Sequence, residues 1–319
     1  MHPLTNASRP DLRFNTVLVL AGCFLAFVSW DQSYWWTKKA DYTFGWLVPA
    51  CVAYVLYDRW PLLVRVLRSA PRQAETKRAR DIALERLCAA VVWTVLGISL
   101  LTFLFGAAYR SAGGPSNPAT LAITSGTTGV LLSCIYLSIS TLHPNATLEK
   151  RLRFTALFIF PTVVWLISAP LVGIVEAKLN IFLMKEVTTV VFRVFDALGL
   201  SLEQRGNVLI LPTGSVGVAE ACSGIRSLTG CLFAGSFLAA VFTEGWKNKL
   251  TLIASALGLA LCMNLLRSLF LTGWSYRYGA ESMEKNVHDL AGYAVLGLTV
   301  VGLLIILPLL AKKPSPALV

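Results

Sequence analysis

Apolar residues in this chain come in long, nearly unbroken runs separated by short polar or basic stretches. The runs lie near 14–30, 42–57, 87–108, 119–142, 154–172, 222–242, 250–271 and 288–310. Most approach the roughly 20 residues that a helix needs to cross a bilayer. The second is short and holds Gly45 and Pro49, which neighbouring helices tolerate. The pattern predicts an all-α polytopic membrane protein of about eight transmembrane helices, carried as a single integral membrane domain over 1–319. Between the fifth and sixth runs the rhythm changes. Apolar positions at 179, 182, 183, 187, 190, 191, 194, 195 and 198 keep helical period, while Lys178, Lys185, Thr189, Arg193 and Asp196 take another face. This predicts an interfacial amphipathic helix, with a helix packed on the bundle as the alternative. Residues 207–211, Pro212-Thr213-Gly214 and 215–219 then predict a short β-hairpin just before span six.

Composition agrees with the pattern. Of 319 residues, 55% are hydrophobic and 14% charged, and the mean hydropathy is +0.65. The net charge of +11 is read as the positive-inside bias of a membrane protein rather than as nucleic-acid binding, because no basic helix with interleaved aromatics stands outside the runs. The basic segments fall where that bias requires. Residues 58–86 carry Arg59, Arg65, Arg68, Arg72, Lys77, Arg78, Arg80 and Arg86. A second basic loop holds Lys150, Arg151 and Arg153, a third Lys247 and Lys249, and Lys312 and Lys313 follow the last run. With both termini cytoplasmic, every short loop obeys the rule, and the hairpin falls on the extracytoplasmic side. The run at 14–30 is read as a retained first helix, since Trp30, Tyr34, Trp35 and Trp36 follow it as an interfacial belt instead of a cleavage site. Anionic lipid headgroups are a second reading of the 58–86 loop.

Seven cysteines occur, none in a CxxC pair. Neither a disulfide framework nor a metal site is indicated, and no nucleotide fingerprint is present, so no cofactor is implied. Cys222 alone has cationic company at helical spacing. It opens span six, and Arg226 follows one turn later inside an apolar run. A cation there is costly unless it meets a polar interior or water. Arg267 lies four residues before the end of span seven, about 6 Å below the outer surface at 1.5 Å per residue. Arg226 lies at a similar depth, and His288 opens span eight on the same side. His2 and His143 fall on the cytoplasmic side. Four rare groups thus share one leaflet.

Acyl transfer is the chemistry these groups support. A helix N-terminus and a nearby cation both favour a thiolate. A histidine takes the thiol proton and returns it to the leaving amine. A guanidinium stabilises the oxyanion of a tetrahedral intermediate. Asn264, on the same face as Arg267 at i, i−3, orients the guanidinium or donates a hydrogen bond itself. Each signal has a plainer alternative: a boundary cysteine is usually inert, an arginine near a span end often snorkels to the headgroups, and a histidine at a loop end often caps a helix.

Glu220-Ala221-Cys222-Ser223-Gly224-Ile225-Arg226-Ser227 at one span start, Asn264-Leu265-Leu266-Arg267 near the end of the next and His288 opening the last resemble the exosortase/archaeosortase family of membrane cysteine enzymes. The resemblance is strongest over 170–310. It implies a catalytic set of Cys222, Arg267 and His288, with Arg226 and Asn264 as auxiliaries. It also implies a cysteine protease or transpeptidase at the plasma (inner) membrane. Its partners would be secreted proteins whose C-terminal tail holds a short motif such as Pro-Glu-Pro, a membrane helix and a basic cluster, together with membrane lipid, and no nucleic acid. A transporter or lipid-handling protein with an anion-binding arginine site is the competing reading. Against it, no inverted repeat and no paired broken helices are visible.

Overall fold

The computed structural model describes residues 12–68, 79–142, 146–217, 224–279, 281 and 285–311. Residues 218–223 with Cys222, the middle of the first basic loop, His2, His143 and Lys312-Lys313 lie outside the described residues. Ten α-helices and one small sheet follow in order: α1 Leu12–Lys38, a 3-10 segment Ala40–Leu47, α2 Val48–Arg68, α3 Ala79–Gly113, α4 Asn117–Leu142, α5 Leu148–Ala156, α6 Ile159–Ser168, α7 Gly173–Ala197, strands β1 Glu203–Arg205, β2 Val208–Leu211 and β3 Gly214–Gly217, then α8 Ile225–Phe242, α9 Trp246–Tyr278 and α10 Lys285–Leu310.

Six helical stretches among the described residues are long and apolar enough to cross a membrane: Ala40–Val66, Ile82–Gly113, Asn117–Thr141, Ile225–Phe242, Trp246–Tyr278 and Leu290–Leu310. A seventh results if α5 and α6, bent by 44° at their junction, count as one broken span. The range 14–30 lies within α1. The chain is therefore an all-α polytopic membrane protein with one small sheet.

Two compact units are present, one formed by the chain to Tyr34 with Leu63–Leu166, the other by Trp35–Leu62 with the chain from Ile167 onward. In the first, α3 and α4 approach closely at glycines: a Cβ on Gly126 would stand 2.5 Å from the Phe103 nitrogen, and one on Gly106 2.8 Å from the Ile123 nitrogen. Part of its polar interior is paired locally. Gln32 donates to the Thr124 hydroxyl at 2.8 Å and to the Trp165 carbonyl at 3.0 Å. Buried Asp31 accepts from Arg110 at 2.6 Å.

The second unit holds the sheet and α7–α10. β2 is central, antiparallel to both neighbours, with Glu203 opposite Ile210 and Leu211 opposite Gly214. The expected hairpin is β2–β3. β1 adds a third strand that no apolar alternation announced, because Glu203-Gln204-Arg205 contributes backbone pairing rather than a buried face. Leu209 and Leu211 point inward onto Val191 and Phe195 of α7. The far side of α7 exposes Ile174, Ile181 and Phe182 alongside Lys178 and Lys185.

Candidate active site

Positioning begins at the entry to α8. Gly224 is its N-cap, with φ +87° and no side-chain cap. An L-residue resists that left-handed conformation, so glycine is required by the backbone alone. Ile225 behind it is buried. Arg226, in the first turn, donates to Asp41 Oδ1 at 3.4 Å, and the Thr229 hydroxyl lies 3.0 Å from the Asp41 carbonyl oxygen. Asp41 belongs to the 3-10 segment, whose Phe44 ring stacks on Phe233 of α8 at 5.1 Å. That segment is anchored from its other end as well. Lys39 pairs with Glu176 at 2.7 Å, and the Tyr42 hydroxyl accepts the Leu171 N–H at 3.1 Å. Residues 39–44 thus strap the starts of α7 and α8 to each other.

α9 supplies the other polar groups. Its buried face repeats every four residues: Leu252, Ala256, Ala260, Asn264, Ser268 and Thr272. Small residues at this spacing let neighbouring helices come close, and both neighbours meet α9 with glycines. From α8, a Cβ on Gly235 would stand 2.6 Å from the Ala256 Cβ, and one on Gly224 would stand 2.9 Å from Asn264 Nδ2. From α10, a Cβ on Gly302 would stand 2.6 Å from Leu259 Cδ2, and one on Gly292 would stand 3.5 Å from Arg267 Nη2. Residue numbers rise along α8 and α10 as they fall along α9, so both helices run antiparallel to it. α8 begins beside Asn264, and α10 passes Arg267 at Gly292, about two turns into that helix. α9 continues to Tyr278, so Arg267 stands well inside the helix rather than near its end as the apolar run had suggested.

Each residue singled out in the sequence can now be located. Asn264 is 2% exposed and faces the Gly224 backbone. Arg267 lies three residues on, half-buried, its guanidinium over Gly292. His288 belongs to α10, one turn before Gly292. Cys222 is outside the described residues. It precedes Gly224 by two residues, a chain reach of about 7 Å. Arg226 is held by the 3-10 segment, its side chain 64% exposed. Gly224 stood in the motif quoted from the sequence, but Asp41, Gly235, Gly292 and Gly302 were not singled out. An acid inside an apolar segment was the available signal for Asp41; Gly235, Gly292 and Gly302 carried none. Among the described residues, no group of three His, Cys, Asp or Glu side chains is placed to hold a metal.

Fold and arrangement together define an integral membrane protein in which Asn264 and Arg267, midway along α9, face the entry of α8 and the first half of α10. The chain belongs to the transmembrane exosortase family, whose family model matches residues 35–305. It is a membrane sorting enzyme. No curated protein and no solved structure matches it.

Proposed function

We propose that this chain is a membrane-embedded cysteine protease or transpeptidase that removes the C-terminal sorting tail of secreted proteins through a thioester on Cys222. The observation that supports the reading is the shared register: Gly224 against Asn264 and Gly292 against Arg267 set the start of α8 and a point about two turns into α10 beside one turn of α9. Cys222 is two residues from the first contact, and His288 is one turn from the second.

In this mechanism the substrate's tail helix enters laterally from the lipid, its basic end toward the cytoplasm and its motif at the outer surface. Cys222 Sγ attacks the scissile carbonyl carbon and His288 accepts the thiol proton. The Arg267 guanidinium stabilises the oxyanion, which collapses with expulsion of the amine, protonated by His288. Water or a second amine then attacks the thioester, releasing the acyl group and restoring the thiol. On this reading the chain is an integral membrane domain of about eight spans in the plasma (inner) membrane, termini cytoplasmic and site extracytoplasmic. Arg226, tied to Asp41, acts as an auxiliary at most.

The test is a secreted reporter bearing a motif-helix-basic tail, expressed with wild-type enzyme or Cys222→Ala at equal abundance. Tail loss with wild type alone supports the thiol reading, and the intact mass of the product separates water from another acceptor. Equal processing by both contradicts it.

A further inference from the structure

Helix lengths and charges in the second unit fix where a bilayer can lie. α8 has 18 residues, about 27 Å at 1.5 Å per residue, close to the roughly 30 Å of a hydrocarbon core. α9 has 33 residues, about 50 Å, so some 20 Å of it stands outside such a core. Its contacts show at which end. α8 enters beside Asn264 and is capped at Thr243, just before α9 starts at Trp246. α10 passes Arg267 at Gly292 and ends at Leu310, where Ala311 bridges to Thr243. Residues 225–242, 246–264 and 292–310 therefore cover one thickness. No charged side chain lies past Arg226 on α8, between Lys249 and Arg267 on α9, or after Asp289 on α10. The excess of α9 lies beyond Asn264, and α7 and the sheet gather on it. Val191 and Phe195 of α7 share a cluster with Leu265, Leu269 and Tyr276, Val187 packs on Leu271, and the Thr213 hydroxyl donates to the Ser275 carbonyl.

The outward face of α7 changes along its length. In the first half Ile174, Ile181 and Phe182 are 70%, 58% and 57% exposed. Lys178 and Lys185, also exposed, stand between them at three- and four-residue steps, which puts all five on one face. Neither lysine has an acid partner among the described residues, and Glu176 is taken by Lys39. Beyond Lys185 the exposed charges are of both signs, Glu186, Arg193 and Asp196. Bare lysines set among exposed apolar side chains suit a layer that is apolar beneath and anionic above. We propose that the edge of the bilayer crosses this unit at the turn of α9 bearing Asn264 and Arg267, and that the first half of α7 is seated on it, with Ile174, Ile181 and Phe182 in the acyl boundary and Lys178 and Lys185 on the phosphates of anionic lipid. The second half of α7, the sheet, the last turns of α9 and the first of α10 then stand outside as a cap, and Arg267 lies at headgroup level. The proposal rests on the functional reading only in naming this side the outer one.

The experiment uses the full chain in vesicles of phosphatidylcholine with phosphatidylglycerol, and of phosphatidylcholine alone. Each chain carries one spin-labelled cysteine, either native Cys262, which is exposed, or Ile181→Cys or Tyr278→Cys, with the other cysteines replaced by alanine. Depth is read from relaxation by oxygen and by a nickel chelate. With phosphatidylglycerol present, the label at Cys262 is expected in the acyl region and that at Ile181→Cys among the headgroups. The label at Tyr278→Cys, about 24 Å further along α9, is expected in water. Omitting phosphatidylglycerol, combining Lys178→Gln with Lys185→Gln, or raising the salt is each expected to shift the Ile181→Cys label toward water. The lipid and salt comparisons need no lysine variant and decide the matter if that variant does not accumulate. A Tyr278→Cys label at acyl depth overturns the boundary. An Ile181→Cys label in water in both lipids overturns the seat and leaves that face to a protein partner, and one whose depth ignores lipid charge and salt overturns the anionic assignment. Cys222 is alanine in every chain, so reporter processing that survives Cys222→Ala would remove the thioester reading and leave the measured depths standing.

Discussion

At the scale of single residues, two glycines separate backbone from packing. Gly224 combines φ +87° with a close polar neighbour, so Gly224→Ala meets two penalties. The left-handed backbone alone costs about 1–2 kcal/mol, and the new methyl must displace the Asn264 amide. Reporter processing is expected to fall at least tenfold. A Gly224→Ala variant processing at the wild-type rate would contradict the assigned geometry. Gly292 sits in ordinary backbone, and a Cβ there would make normal contact with Arg267 at 3.5 Å. Gly292→Ala is therefore expected to be nearly silent, whereas Gly292→Leu drives the guanidinium off and lowers activity with little loss of protein. Arg226 and Asp41 form a long contact with an exposed arginine. Such pairs contribute at most about 1 kcal/mol, so Asp41→Asn should change thermal stability in detergent only slightly. The rare polar groups were legible in the sequence because an apolar background makes them conspicuous. Of the glycines packed against them, Gly224 stood in the quoted motif, but Gly292 did not stand out. A glycine in an apolar run has many uses, and only a partner across the interface shows which one applies.

At the scale of elements, α9 is the ruler. The row of small side chains on α9 receives α8 through Gly235 on Ala256, while on α10 it is Gly302 that makes room for the Leu259 side chain of α9. Gly235→Val should push α8 away, destabilise the protein by about 1–3 kcal/mol as overpacking does, and be partly rescued by Ala256→Gly. Thermal denaturation of the purified double variant measures this; no rescue would show that the contact does not set the interhelix distance. The hairpin was readable from its alternation and its Pro-Thr-Gly turn, and the structure docks that turn on α9, where the Thr213 hydroxyl donates to the Ser275 carbonyl at 3.1 Å. β1 was not readable, because a solvated edge strand of Glu, Gln and Arg shows no hydrophobic period. The 3-10 segment was hidden for another reason. Residues 42–57 satisfy a hydropathy window whatever their backbone, and the strap made by Lys39, Asp41 and Tyr42 depends on partners more than 120 residues away.

At the scale of the whole molecule, hydropathy and charge made the class plain, since 55% apolar residues in long runs leave few other folds. Orientation rests on the basic loops. If they face the cytoplasm, a cysteine placed at Thr213 in a cysteine-free background should react with an impermeant maleimide on intact cells, and one placed at Asn248 only after permeabilisation. The reverse pattern would invert the topology and put the α8 entry on the wrong side for secreted substrates. The function is carried by family membership together with the convergence at Asn264 and Arg267, and the covalent step is its sharpest consequence. The measurement that tests this step most directly is the intact mass of the enzyme isolated from cells producing a tailed substrate. The account predicts an acyl adduct on the peptide containing Cys222, released by neutral hydroxylamine and missing from Cys222→Ala. Processing of the tail with no hydroxylamine-labile adduct on Cys222, even in a variant slowed at the second step, would contradict it.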